Sequence, residues 1–155
     1  METFEISSDL PCSPAVAWAH VSSLEGINAE LSPIRMTFPP ELALLKVKDV
    51  KLGVVLLHSW VLLAGFLPLD RHALCLTELV DGEGFREEST SWLQRRWIHD
   101  RRITPLATGC RVTDRLSFEP RLGLLRPIIS RVVRTTFERR HRHLQEILTP
   151  AGAQR

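Results

Sequence analysis

A chain of 155 residues, 44% hydrophobic and 25% charged, has the balance of one ordinary globular domain, and a domain of that size buries about 68–70% of the surface its unfolded chain exposes. Its net charge of +2 hides an asymmetry: residues 1–80 hold five Lys/Arg against nine Asp/Glu, and residues 81–155 hold fifteen against nine. The composition argues against disorder, and the apolar runs 52–57 and 60–69 fall short of the ~20 residues a membrane helix needs. Cys12, Cys75 and Cys110 are odd in number, far apart and without metal-ligand spacing, so they are expected as buried thiols in a reducing cytoplasm. No signal-peptide pattern opens the chain. A single cytoplasmic domain over 1–149 with a short tail at 150–155 is expected.

The alternation in Phe4-Glu5-Ile6-Ser7 predicts a first strand from Glu2 to Ser8. Ser13 before Pro14 is a helix start, with Ser as N-cap and Pro where its missing donor costs nothing. The helix it opens ends near Ser22 or Ser23 and would bury Val16, Trp18, Ala19 and Val21. A second short helix, Leu24 to Leu31, would bury Ile27 and Leu31 and is stopped by Pro33. Ile34 to Phe38 reads as a strand, and 41–51 is ambiguous. Gly53 to Gly65 is a long strand apolar on both faces, as expected of a strand covered on each side. A turn at Leu67 to Asp70 follows. His72 to Val80 and Phe85 to Ser91 make a hairpin around Asp81-Gly82-Glu83-Gly84.

Strands Arg96 to Arg101 and Arg111 to Phe118, joined around Pro105 to Gly109, lead into a long helix from Leu122 to Leu148. Leu125, Ile129, Val132, Val133, Phe137, Leu144 and Leu148 recur at steps of three, four and seven, one apolar stripe on a helix ~40 Å long. Strands that precede one long terminal helix without intervening helices predict an α+β fold, a curved antiparallel sheet closed by that helix. Arg121, Arg126, Arg131, Arg134, Arg139, Arg140 and Arg142, with His141 and His143, make the helix basic. They form either a solvated face or a surface for RNA or an anionic membrane. The absence of tyrosine and an aromatic share of 6% argue against a base-stacking platform, so no specific nucleic acid is expected.

This order resembles the START-like superfamily, the helix-grip or SRPBCC group of polyketide cyclases, lipid-transfer domains and coenzyme-Q-binding proteins. The resemblance spans essentially the whole chain. It rests on Ser13-Pro14-Ala15-Val16-Ala17-Trp18, the Gly65 to Asp70 turn, Phe85-Arg86-Glu87-Glu88-Ser89, Trp97-Ile98-His99-Asp100-Arg101, Thr113 to Arg121 and the helix end Phe137 to Leu144. It implies a seven-stranded sheet wrapped around the terminal helix with an elongated apolar cavity between, and it does not imply a reaction, because one fold hosts carriers, enzymes and regulators.

A hairpin turning at Leu106-Ala107 would place His99 directly opposite Asp114, and a turn near Leu93 would place Glu87 opposite His99 and Ser89 opposite Trp97. A one-residue slip would break these pairings. Three roles are open for the His99/Asp114 pair: a structural pair with Arg101 or Arg111 neutralising the rest, an anchor for a ligand hydroxyl or amine, or a general base with its orienter. His58 and Trp60 share one face of the long strand and line either the cavity or the convex side under the N-terminal helices. Arg35, Lys46, Lys48 and Lys51 could meet an anionic head group at the mouth, or be solvated loop charges. The six histidines offer no metal-ligand spacing, and Gly82 and Gly84 lack the helix a phosphate loop needs, so no metal or cofactor is expected.

The leading expectation is therefore a protein that binds a small hydrophobic molecule, such as a polyketide, isoprenoid or lipid-like compound, between the sheet and the helix. Trp60, His58, Glu87, Ser89, Trp97, His99, Asp114, Val133 and Phe137 would line that site. The alternative enzyme is a cyclase or dehydratase using His99 and Asp114.

Overall fold

The computed structural model describes residues 1–44 and 47–149; Lys46 and the expected tail 150–155 lie outside the described residues. β1 (Glu2–Leu10) is followed by α1 (Pro14–Val21), α2 (Leu24–Leu31) and β2 (Ile34–Met36). Two 3-10 turns, Pro40–Leu44 and Val47–Asp49, lead to β3 (Val55–Leu63), β4 (Leu67–Val80), β5 (Gly84–Ser91), β6 (Gln94–Leu106) and β7 (Gly109–Pro120). A further 3-10 turn at Gly123–Leu125 precedes α3 (Arg126–Leu148). The strands form one seven-stranded sheet in the order β1-β7-β6-β5-β4-β3-β2, with every neighbouring pair antiparallel. Register shifts in β3, in β4 between Leu76 and Glu78, and in β6 between Gln94 and Arg96 each add local bend, so the sheet curls.

Local chemistry starts the two short helices. Ser13 and Ser23 cap them, accepting hydrogen bonds from the amides of Val16 and Gly26. Gly26 sits where an added Cβ would lie 2.0 Å from the His20 carbonyl oxygen, so only glycine lets α2 approach the end of α1. On α1 the buried side chains are Ala17, Trp18 and Val21, whereas Val16 and Ala19 face out. The Trp18 indole N–H, donating to Asp81 at 2.7 Å, sets that rotation.

Of the expected boundaries that move, three bear on the site. The turn expected at Leu67 to Asp70 is strand, because the chain already reverses at Ala64 and Gly65, both with positive φ. β6 runs on through Pro105 and Leu106, so the hairpin turns at Ala107-Thr108 and His99 lies opposite Leu116, with Asp114 opposite Arg101. The long helix begins at Arg126, with Pro127 in its first turn where no donor is lost.

Alternating burial along β7, from Cys110 to Pro120, marks the concave face. At one end of it Leu10, Trp18, Val21, Ile103, Val112 and Leu144 form the apolar core. At the other, Phe137 of α3 meets Phe4, Trp97 and His99 at ring separations of 6.2, 6.1 and 5.2 Å. α3 packs on β1, β7 and α2. Of its expected stripe Phe137 and Leu144 are buried, Val132 is 54% exposed and Leu125 36% exposed. No helix among the described residues is long and apolar enough to cross a membrane.

Candidate functional site: a buried imidazole and carboxylate layer

Between the apolar core and the aromatic group, the concave face carries ionisable side chains. Glu87 faces His99 across β5 and β6, and Ser89 faces Trp97. His99 and Asp114 are diagonal neighbours instead of direct ones. A register shift of two keeps both on one face, and the His99 Nε2 lies 2.9 Å from the Asp114 carboxylate. A carboxylate only accepts, so Nε2 carries the proton. The other ring nitrogen, Nδ1, is 3.9 Å from Glu87 Oε2.

Asp114 is the hub. Arg101 grips both its oxygens, from Nε at 2.7 Å and Nη2 at 2.6 Å, and His141 of α3 donates to it from Nε2 at 3.1 Å while its Nδ1 meets Ser8 at 2.9 Å. The third guanidinium nitrogen of Arg101 reaches Glu30 of α2 at 2.9 Å, and Arg140 of α3 reaches the same Glu30 oxygen at 3.0 Å. The second Glu30 oxygen has no hydrogen-bond partner among the described residues and lies 3.7 Å from the likewise unpartnered Nε2 of His20. At the far side His72 of β4 donates from Nε2 to Glu87 at 2.5 Å; no hydrogen bond joins its Nδ1 to another described residue.

Burial alone would push these carboxyl groups up, and their partners reverse that. Desolvation of Asp114 is outweighed by Arg101 and His99, which hold it well below the usual carboxylate range. Glu30 is lowered despite burial by Arg101 and Arg140, and Glu87 despite burial by His72 and His99. His72 is disfavoured as a cation by burial, yet its bond and charge contact with Glu87 raise it above its ordinary value. Three carboxylates thus face the guanidiniums of Arg101 and Arg140 and the imidazole of His72, so each buried negative charge has a cationic or proton-donating partner. Removing any one member leaves an uncompensated charge in a dry place.

The expected site residues Glu87, Ser89, Trp97, His99, Asp114 and Phe137 share this concave face. Val133 sits half-buried one turn before Phe137. The Ser89 hydroxyl accepts from the Cys75 amide at 3.0 Å and leaves its own proton for the Glu87 carboxylate. His58 and Trp60 do not join them. Ser59 pairs with His72, so its sequence neighbours on either side point to the opposite face. There Trp60 packs against Trp92 at 5.0 Å and under the Arg71 guanidinium at 5.4 Å. Arg35 lines an open cleft of about 790 Å³ with Asn28, Met36 and Phe38, between α2 and β2–β3 and apart from the ionised layer. Lys48 and Lys51 are exposed.

Sequence reasoning missed Glu30, His72, Arg101 as the central cation, Arg140 and His141. The signal for the last two was available: they stand three and four residues after Phe137, in phase with the buried stripe. Among the described residues no group of histidine, cysteine and acidic side chains is arranged to hold a metal.

Solved structures share this architecture. Protein CV1439 from Chromobacterium violaceum superposes with a TM-score of 0.73 at 14% identity, covering 96% of this chain and 97% of its own. A START superfamily protein from Mycobacterium smegmatis gives 0.67 at 10% identity over 94% and 96%, and TTHA0849 from Thermus thermophilus gives 0.62 at 16% over 94% and 95%. At such identities the likeness establishes the START-like helix-grip fold and nothing finer. No curated protein matches in sequence. The family model described as "Domain of unknown function (DUF8410)" matches residues 8–148, and the chain belongs to that family.

Proposed function

We propose that the protein binds a small, largely apolar molecule bearing an oxygen function, held against the concave surface of β4 and β5 beneath the N-terminal half of α3. The observation that carries this is the buried His72–Glu87 pair set among partly accessible apolar side chains. Leu74, Leu76 and Phe85 on the same face are half-buried, and Ile129 and Val133 are half-buried on α3. Apolar walls supply most of the affinity in such a groove and a few polar groups fix orientation. With Nε2 given to Glu87, the His72 Nδ1 meets a ligand oxygen as a donor when the ring is charged, the form that Glu87 favours, and a ligand hydroxyl as an acceptor when it is neutral. Polyketide, isoprenoid and fatty-acyl compounds all have that character, and the START-like fold is in general a ligand-binding one.

A cyclase or dehydratase with His99 as base is the second reading. Asp114 does hold the His99 ring in one tautomer, but Arg101 occupies both oxygens of that carboxylate, which reduces the basicity it can lend. Binding is therefore preferred over turnover.

The test combines native mass spectrometry of the purified chain with displacement of anilinonaphthalene sulfonate by an apolar library. A bound species is expected, with Phe85→Glu abolishing it and His72→Gln weakening it by about tenfold, the value of one charge-assisted hydrogen bond. A folded protein that carries no ligand and binds none of the library would end the proposal.

A further inference from the structure

The largest exposed apolar side chains gather at one end of the molecule, where β3 passes into β4, β5 into β6, and β7 into α3. Leu124 is 95% exposed, Phe66 77%, Leu122 and Ile128 61% each, and Trp92 60%. The three segments are tied together: the Arg121 amide donates to the Leu93 carbonyl at 2.9 Å and the Trp92 amide to the Arg71 carbonyl at 3.2 Å. They form one rim, and an exposed cluster of this kind calls for a partner, whereas scattered single residues do not.

Charge identifies the partner. Residues 62–69 at the β3–β4 tip contain no charged side chain, and residues 121–137 contain Arg121, Arg126, Arg131 and Arg134 with no acid. Arg134 is stacked over Phe4 at 4.7 Å, and Arg71, over Trp60 at 5.4 Å, adds one more cation behind the apolar tip. An apolar apex with a basic collar and an exposed indole matches the boundary of an anionic bilayer, where side chains enter the acyl region and guanidiniums meet phosphates. A second copy of this chain on the same rim would press two arginine collars together. RNA would use the arginines and leave the leucines and Phe66 in water.

We propose that this rim docks the protein on anionic membrane surfaces, with Phe66, Trp92, Leu122, Leu124 and Ile128 inserted and the arginines of 121–134 on the lipid phosphates. The docking stands apart from the ligand-binding reading, since none of these side chains belongs to the His72–Glu87 groove.

The experiment is flotation of the full chain with vesicles of phosphatidylcholine alone and of phosphatidylcholine with about a third phosphatidylglycerol, at low and physiological salt. Binding to the anionic vesicles is expected, at least tenfold weaker on the neutral ones, with a blue shift of tryptophan emission that Trp92→Phe removes. The double variant Phe66→Glu/Leu124→Glu changes two solvent-facing sites, so it should keep the wild-type melting temperature and anilinonaphthalene sulfonate binding while losing at least tenfold in vesicle affinity. No vesicle binding at low salt overturns the proposal. So does binding unaffected by the double variant, which would be charge attraction alone, and so does a dimer in sedimentation that the double variant dissociates without altering vesicle affinity.

Discussion

At the scale of single residues, Asp114 concentrates the constraints of this fold. It is fully buried, and it accepts from a guanidinium and two imidazoles drawn from β6 and α3. Asp114→Asn keeps the shape but removes the charge and two acceptor positions, leaving Arg101 undercompensated. The expected cost is about 3–5 kcal/mol in urea unfolding, the range for breaking one partner of a buried ion pair. An exposed pair makes the contrast: Asp9 with Arg111, joined at 2.6 and 2.9 Å on the outer face, has the same bidentate form, and Asp9→Asn is expected to leave the urea midpoint nearly unchanged, because solvent screens the pair. Equal losses at the two sites would show that burial does not set the value of the hub.

Elements obey a second logic, visible along α3. Its C-terminal half carries Phe137, His141 and Leu144 into the interior while its first turns lie on the surface. Leu144→Ala should cost about 2–5 kcal/mol by leaving a cavity, and Val132→Ser should change stability by less than about 0.5 kcal/mol, both read from the urea midpoint at fixed slope. Periodicity alone puts Val132 and Leu144 on one stripe, because spacing reports a face and not how far the sheet extends beneath it. The strands were more legible. Alternation placed Glu87, His99 and Asp114 on one side, and the hairpin loop before Gln94 fixed the pairing of Glu87 with His99 and Ser89 with Trp97. The β6–β7 register slipped because Pro105 reads as a breaker. Beyond Ile103 β6 has a strand on one side only, where proline is tolerated.

For the whole molecule the ionised layer predicts how stability follows pH. His72 has a higher pKa folded than its ordinary 6.5, so the fold binds its proton more tightly. That contribution is complete below 6.5 and fades as the pH rises through the raised value. Glu30 and Glu87, lowered from 4.5, and Asp114, lowered from 3.8, act in the other sense: their contribution is present above those values and is lost as the pH falls through the depressed ones. Stability should therefore peak between the two, on the acid side of neutrality. Urea midpoints from ~pH 4 to ~pH 9 should fall on both flanks, and His72→Gln should flatten the alkaline one. An unaltered alkaline flank in that variant would remove His72 from the account. Little of this layer could be read from the chain, since Glu30 and Arg101 are 71 positions apart and Glu30 and Arg140 are 110 apart. Contacts at that separation follow from the closed topology and leave no local pattern.

The attachment of α3 through Arg140 and His141 has a mechanical consequence. Two adjacent polar side chains, one bonded to α2 and the other to β1 and β7, forbid both sliding and rolling of the rod, since a displacement of one turn would strand both in a dry interior. The C-terminal half is clamped, and the first turns, joined to β7 by residues 121–125 and held where Arg134 stacks over Phe4, form a span supported at both ends. Under the binding reading proposed above, a guest would be admitted by movement of that span N-terminal to Phe137, with the clamp held still.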